Sequence, residues 1–211
     1  MPSTLREPVL DTTLRHLFEQ AELDGTRRPP GTTGLSARDR ADALSEVYIP
    51  VSPEGGRLLY ALVRAVRPAT VVEFGMSFGI STLFLAAAVH DNGAGRVFTT
   101  ELSAAKVAAA KATFARTGLD QAITVLEGDA RETLAGLDGT VDFVFLDGWK
   151  DLYLPVLQLL EPRLRPGTLV IADDVDMPSV APYLSYVRDP ASGYEAVTFP
   201  VGDGMEVSCR V

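Results

Sequence analysis

Val71-Val72-Glu73-Phe74-Gly75-Met76-Ser77-Phe78-Gly79-Ile80-Ser81 passes from a β-branched and aromatic run into two spaced glycines and then into an apolar stretch. A short apolar run bounded by glycine reads as a buried strand, and glycine at a strand-to-helix turn lets helix-terminal amides approach a ligand closely. The Gly-x-x-x-Gly spacing differs from Gly-x-Gly-x-x-Gly, so a pyrophosphate-binding dinucleotide fingerprint is not met. The acid Glu73 precedes the first glycine, and a carboxylate there suits an ammonium or sulfonium better than a phosphate. Taken alone, the two glycines are equally well read as a plain tight turn.

Working outward, the same short β-branched runs recur at 96–101, 123–127, 141–146 and 169–172, each followed by a helical stretch. Five strands alternating with helices predict a parallel sheet covered on both faces. The chain ends differently, with runs at 194–199 and 206–211 joined by Pro200-Val201-Gly202-Asp203-Gly204. No helix separates these two, so one of them is expected to run antiparallel to the rest. The fold class is therefore α/β, a Rossmann-like seven-stranded mixed sheet whose last strand pair is antiparallel, with helices on both faces.

Upstream, Ser52-Pro53-Glu54 has the form of a helix start, followed by Leu58, Leu59, Leu62, Val63 and Val66 at helical spacing. Residues 1–45 mix two predicted helices, Leu10 to Ala21 and Ser36 to Leu44, with the breaker-rich run from Asp24 to Gly34. That segment is too short and too poor in apolar residues to bury a core of its own. It reads as a helical lid or appendage on a single domain spanning 46–211.

The 211 residues carry a net charge of −9 with no dense basic patch, which argues against a nucleic-acid partner. One cysteine, Cys209, excludes an internal disulfide and a Cys-rich metal site. Nothing resembles a membrane span of about 18 apolar residues or a signal peptide, so the expected location is the cytoplasm.

Two further strand ends break into acids: Val141-Asp142-Phe143-Val144-Phe145-Leu146-Asp147-Gly148-Trp149-Lys150 and Leu169-Val170-Ile171-Ala172-Asp173-Asp174. A buried strand does not keep unpaired carboxylates, so these sit where the strands emerge. On neighbouring parallel strands, Asp147, Asp173 and Asp174 converge on one sheet edge beside Lys150, a grouping suited to a hard cation and a proton acceptor. Glu101, ending the second strand, is where a ribose diol is gripped by a bidentate acceptor, although a solvated strand-end Glu is an equal reading in isolation. Gly128-Asp129-Ala130-Arg131 after the third strand offers an adenine-edge contact, or Asp129 is a helix cap. Three such signals at consecutive strand ends suggest S-adenosylmethionine. Ser77 and Ser81 lack a partnered histidine, which disfavours a Ser-His hydrolase.

With these residues in view, the chain resembles the small metal-dependent O-methyltransferases, and the run Asp147-Gly148-Trp149-Lys150-Asp151-Leu152-Tyr153-Leu154-Pro155 is similar to catechol O-methyltransferase in particular. The resemblance extends from about Val51 to the C-terminus, through Asp203-Gly204-Met205-Glu206. It implies Asp147, Asp173 and Asp174 as ligands of Mg2+ or another divalent cation, Lys150 as the catalytic lysine, and Glu206 as the acid that meets the second substrate hydroxyl. It implies Glu73, Gly75 and Ser81 at the methionine end of the cofactor, Glu101 at the ribose, Ala130 and Trp149 around the adenine, Val51 as a backbone contact, and Asp147 as a cofactor contact besides its place at the metal. Pro178 matches one wall of the acceptor slot.

Three positions depart from that pattern. Asp174 stands where Asn is usual, Gly148 replaces a larger residue, and the aromatic gatekeeper of the animal enzymes has no clear match around Val47 and Tyr48. The activity implied is methyl transfer from S-adenosylmethionine to one hydroxyl of a catechol or related aromatic diol. Lys150, beside a cation and partly desolvated, is expected to have a lowered pKa and accept the phenolic proton. The alternatives are a caffeoyl-CoA-type phenolic O-methyltransferase and, in a different class, a non-catalytic nucleotide-binding α/β protein. The expected partner is a small aromatic diol, with no membrane contact, and a homodimer is the assembly entertained.

Overall fold

The computed structural model describes residues 3–25, 31 and 34–211. Helices α1 (Pro8–Gly25), α2 (Ala37–Ala43) and α3 (Pro53–Val66) lead into β1 (Thr70–Phe74), α4 (Ile80–Asn92), β2 (Arg96–Glu101), α5 (Ala104–Thr117) and β3 (Ile123–Glu127). Then follow α6 (Ala130–Thr133), β4 (Val141–Leu146), α7 (Tyr153–Leu160), β5 (Leu164–Ala172), α8 (Ala181–Val187), β6 (Tyr194–Phe199) and β7 (Met205–Arg210). Most of the breaker-rich run after Asp24 lies outside the described residues.

Among the described residues the strands form one seven-stranded sheet in the order β3-β2-β1-β4-β5-β7-β6. Strands β1 to β5 pair in parallel, whereas β7 runs antiparallel to both β5 and β6. The reversed strand is thus β7, which inserts between β5 and the edge strand β6. Strand order turns back at β1, and the β1/β4 boundary is where the outgoing loops part to leave a crevice.

Strand alternation divides the core in two. Val71, Phe143, Phe145 and Ile171 face α3, α4 and α5, and α1 adds Leu10, Leu14 and Leu17 to that same cluster. Val72, Val144, Leu146, Val170 and Ala172 face the other way, onto Val156, Leu157 and Leu160 of α7 and Tyr183 of α8. Each fully buried Leu, Val or Phe contributes about 1.5–3 kcal/mol, so α1 is held by the domain's own core. The start of α3 is capped as expected, with Ser52 Oγ accepting from Gly55 N and Pro53 in the first turn. Strand β5 is longer than its apolar run, extending back through Pro166 and Gly167. No helix among the described residues is long and apolar enough to cross a membrane.

Candidate active site

Parallel pairing brings the C-terminal ends of β1, β2, β4 and β5 to one edge. Asp147 N donates to the Phe74 carbonyl at 2.8 Å and Asp173 N to the Leu146 carbonyl at 3.0 Å, so each acid begins where its neighbouring strand ends. The turn after β1 is pressed against Asp147. Gly75 has φ +101°, and a Cβ there would meet the Asp147 carbonyl oxygen and Gly148 N at 2.6 Å, so only glycine fits. At Gly148 the side of the chain that a larger residue would occupy is already filled by the Phe74 ring, 2.5 Å from where a Cβ would stand.

Around this edge lies a cavity of about 290 Å³, and Gly75, Glu101, Ala130, Asp147, Trp149 and Lys150 all line it. Val51 and Ser81 face a narrow adjoining recess that also borders Gly75 and Asp147. Eight of the expected site residues are therefore brought to one connected surface. Glu101 is held ready there: one carboxylate oxygen accepts from Ser77 N, and the other from Leu102 N and Ser103 N, each at 2.8 Å. Asp129 caps α6 and is also gripped by the Arg131 guanidinium, which satisfies the cap reading.

Glu73 does not line either space. Being in phase with Val71, it points beneath the turn toward α4, fully buried, where the Thr82 and Thr99 hydroxyls donate to one of its oxygens. Its other oxygen has no partner among the described residues, and burial pushes its pKa up to about 7. The expected direct contact with a cationic ligand is thus replaced by a buried acid one layer behind the turn.

Lys150 Nζ stands 3.0 Å from Asp147 Oδ1 and 2.8 Å from Asp174 Oδ2, and donates to the Tyr153 hydroxyl at 2.7 Å. The Tyr153 hydroxyl in turn donates to the Asp173 carbonyl, tying lysine and acids into one network. Burial pulls the Lys150 pKa down, but the two carboxylates outweigh it and the net direction is up. The two carboxylates thus hold Lys150 as a charged ammonium; the expected lowering belongs to a site in which a bound cation neutralises them.

The acids feel one another strongly. Burial, offset by Lys150 and reinforced by Asp174, raises Asp147 to about 6, and burial with Asp147 and Asp174 raises Asp173 to about 8. Even with Lys150 present the cluster is short of positive charge, and its all-oxygen donor set fits a hard divalent cation. However, among the described residues no three His, Cys, Asp or Glu side chains already surround a common point. The Lys150 ammonium pairs with both Asp147 and Asp174, so those two carboxylates are turned toward it. Asp174 itself has φ +54°, an uncommon conformation for a residue other than glycine.

Glu206 is also placed otherwise than expected. Its register partner is Ala172, directly beside Asp173, yet its carboxylate is fully buried. Arg188 donates to both of its oxygens, at 2.7 and 2.9 Å, and the Thr198 hydroxyl donates as well. Three donors from Arg188 and Thr198 thus meet the carboxylate, and the lining of the cavities does not include it.

A second cavity of about 290 Å³ adjoins the acids from the other side, bounded by Phe18, Glu22, Pro50, Val51, Asp174 and Asp203. Asp174 therefore forms a wall common to both spaces. Pro178 is not on that lining, although its neighbour Met177 borders the first cavity. Near Val51, Tyr48 stacks on Phe78 with centroids 4.0 Å apart.

Several of these residues gave little warning in the sequence. Lys106 is 5% exposed, lines the first cavity and donates to Ser77 Oγ at 3.1 Å. Its one signal is that it shares a helix face with Ala110 and Phe114, an apolar stripe in which lysine is out of place. Arg40, whose guanidinium lies 4.8 Å from the centroid of Trp149, had no local signal at all.

Residues 72–175 match a methyltransferase domain model. The chain is 36% identical over 165 residues to a probable O-methyltransferase of Mycobacterium tuberculosis, an alignment covering 73% of this chain and 70% of that one. It is 32% identical over 209 residues to catechol O-methyltransferase B of Danio rerio, covering 92% and 77% respectively. In fold it is similar to a Bacillus cereus O-methyltransferase solved with S-adenosylhomocysteine, with a TM-score of 0.71 at 22% identity over 95% of this chain and 91% of that one.

Proposed function

The chain belongs to the catechol O-methyltransferase-like family of S-adenosylmethionine-dependent O-methyltransferases, and on that premise we propose that it methylates one hydroxyl of a catechol or related vicinal dihydroxy aromatic, with a divalent cation. The observation that carries this reading is the Asp147–Lys150–Asp174 cluster lining one cavity, suited to the cofactor, with Asp174 also walling a second, suited to the acceptor.

The cofactor supplies an electrophilic methyl group. Glu101 would hold the ribose, the Gly75 turn, Val51 and Ser81 the methionine end, and Ala130 and Trp149 the adenine. Asp147, Asp173 and Asp174 would hold the cation, whose chemistry is to favour the ionised form of a chelated phenol. While Asp147 and Asp174 are charged, the three N–H groups of Lys150 Nζ go to those carboxylates and to the Tyr153 hydroxyl. Lys150 becomes a proton acceptor when those two carboxylates are neutralised by a charge other than its own. Juxtaposing the two cavities holds both reactants together, which is the main contribution the fold makes to rate.

The acidic rim of the second cavity, Glu22 and Asp203, supports a compact diol over a phosphate-rich thioester acceptor of the caffeoyl-CoA type. The test is methyl transfer to a panel of catechols and monophenols, with and without chelator. Catechols are expected to turn over and to stop with chelator. Equal turnover of monophenols in chelator overturns the reading.

A further inference from the structure

Helix α2 reaches the cofactor cavity from the N-terminal segment, contributing Ala37, Ala41 and Leu44 to its lining. Across from it, Trp149 lines the same cavity from the loop after β4. Arg40 is not part of that lining; it bridges the two from outside. Its guanidinium lies over the indole, 4.8 Å from the ring centroid, and its two terminal nitrogens donate to the two Asp151 oxygens at 3.0 and 3.2 Å. A planar guanidinium is suited to doing both at once, stacking on a ring while pairing a carboxylate in fork geometry, and lysine is not.

We propose that Arg40 is a positioning residue of the cofactor cavity: by clamping Trp149 and Asp151 to α2 it fixes the indole as a cavity wall and holds α2 closed over the cofactor, so that cofactor exchange requires the clamp to open. Its strength is that of a latch. The Asp151 side chain is 54% exposed, which leaves the ion pair screened by solvent, and a cation on a ring adds a second modest contact. Against these, Arg40 Nε is buried with no hydrogen-bond partner among the described residues, a cost that opening removes. Two modest attractions offset by one unsatisfied donor describe a contact that can open and close with each turnover.

The inference rests on the cofactor reading of this cavity. Trp149 is the chain's one tryptophan, so its emission reports the clamp directly. The experiment follows S-adenosylhomocysteine binding and release by stopped-flow tryptophan fluorescence in the wild type, Arg40→Ala, Arg40→Lys and Asp151→Asn. Arg40→Ala is expected to shift the emission maximum of the free protein and to release the ligand about tenfold faster. Arg40→Lys is expected to rescue only part of that loss. Wild-type release is expected to quicken with added salt, and Asp151→Asn to lose that salt dependence. Release from Arg40→Ala within about twofold of wild type overturns the clamp, even if the variant melts earlier, because a purely structural role changes stability without changing exchange. Absence of ligand binding in the wild type would instead overturn the cofactor reading beneath it.

Discussion

Lys150 and Asp174 form an ion pair, Nζ to Oδ2 2.8 Å, although they follow different strands, β4 and β5. Asp174 is the residue that stands where related sequences were expected to have Asn, and it raises Asp147, Asp173 and Lys150 together. Asp174→Asn should therefore lower all three pKa values and remove one anionic donor. Divalent-cation affinity, measured by calorimetry with Mg2+ and Mn2+, is expected to fall about tenfold while the melting temperature holds. Unchanged affinity would mean that Asp174 serves Lys150 alone.

Glu73 should make the protein less stable as pH rises. Its folded pKa, about 7, lies above the ordinary 4.5, so between those values the native state keeps a proton that the unfolded state has lost. Stability from this group declines across pH 4.5 to 7, by up to about 3 kcal/mol, and the loss is complete above pH 7. Glu73→Gln is expected to be more stable than wild type at pH 8 and nearly equal at pH 4.5 in denaturant melts. The same increment at both pH values would show that packing, and not ionisation, sets the difference.

The Arg188–Glu206 pair should behave in the opposite sense. Although burial raises the Glu206 pKa, Arg188 and Thr198 outweigh it and the net direction is down, so its stabilisation is present above the unfolded pKa and lost as pH falls through the folded one. Arg188 is 47% exposed, which discounts the pair, and Arg188→Ala is expected to cost about 1–3 kcal/mol at pH 7. Glu206→Gln is expected to depress the melting temperature with kcat within about threefold of wild type. A large fall in kcat with an unchanged melting temperature would return Glu206 to the acceptor site.

Gly75→Ala should be the most damaging single methyl in the site. The residue must keep φ +101° while its new Cβ is driven into the Asp147 carbonyl and Gly148 N. Backbone strain and the displaced β4 end together are expected to cost about 2–4 kcal/mol, and S-adenosylhomocysteine affinity should fall with it, read by calorimetry. Tight binding by Gly75→Ala would show that the turn can relax.

Strands β1 to β4 could be read from the sequence because each is a local apolar run stopped by glycine, acid or turn residues, and Asp147, Trp149 and Lys150 came with them from a single strand end. The backward extension of β5 was hidden by Pro166 and Gly167, which look like a turn. In the folded chain Thr168 holds that corner, accepting from Arg165 N and donating to the Val141 carbonyl, where the register with β4 also shifts. The pairing of Glu206 is hidden from the sequence for a related reason. Its partner Arg188 lies 18 residues away on the far end of α8, and only tertiary packing shows that the carboxylate is already spoken for. Arg40 and Asp151 are 111 residues apart, beyond any periodicity or motif.

The wall that Asp174 shares between the two cavities has a consequence for how such a protein can diversify. The first cavity is drawn mainly from the parallel strand ends, whereas the second is closed by Phe18 and Glu22 of α1 and by Gly202 and Asp203 of the β6–β7 loop. None of these four residues belongs to a strand of the sheet. On the proposed reading of the two cavities, mutation can remodel these pieces and so exchange one acceptor for another, while the side assigned to the methyl donor is kept.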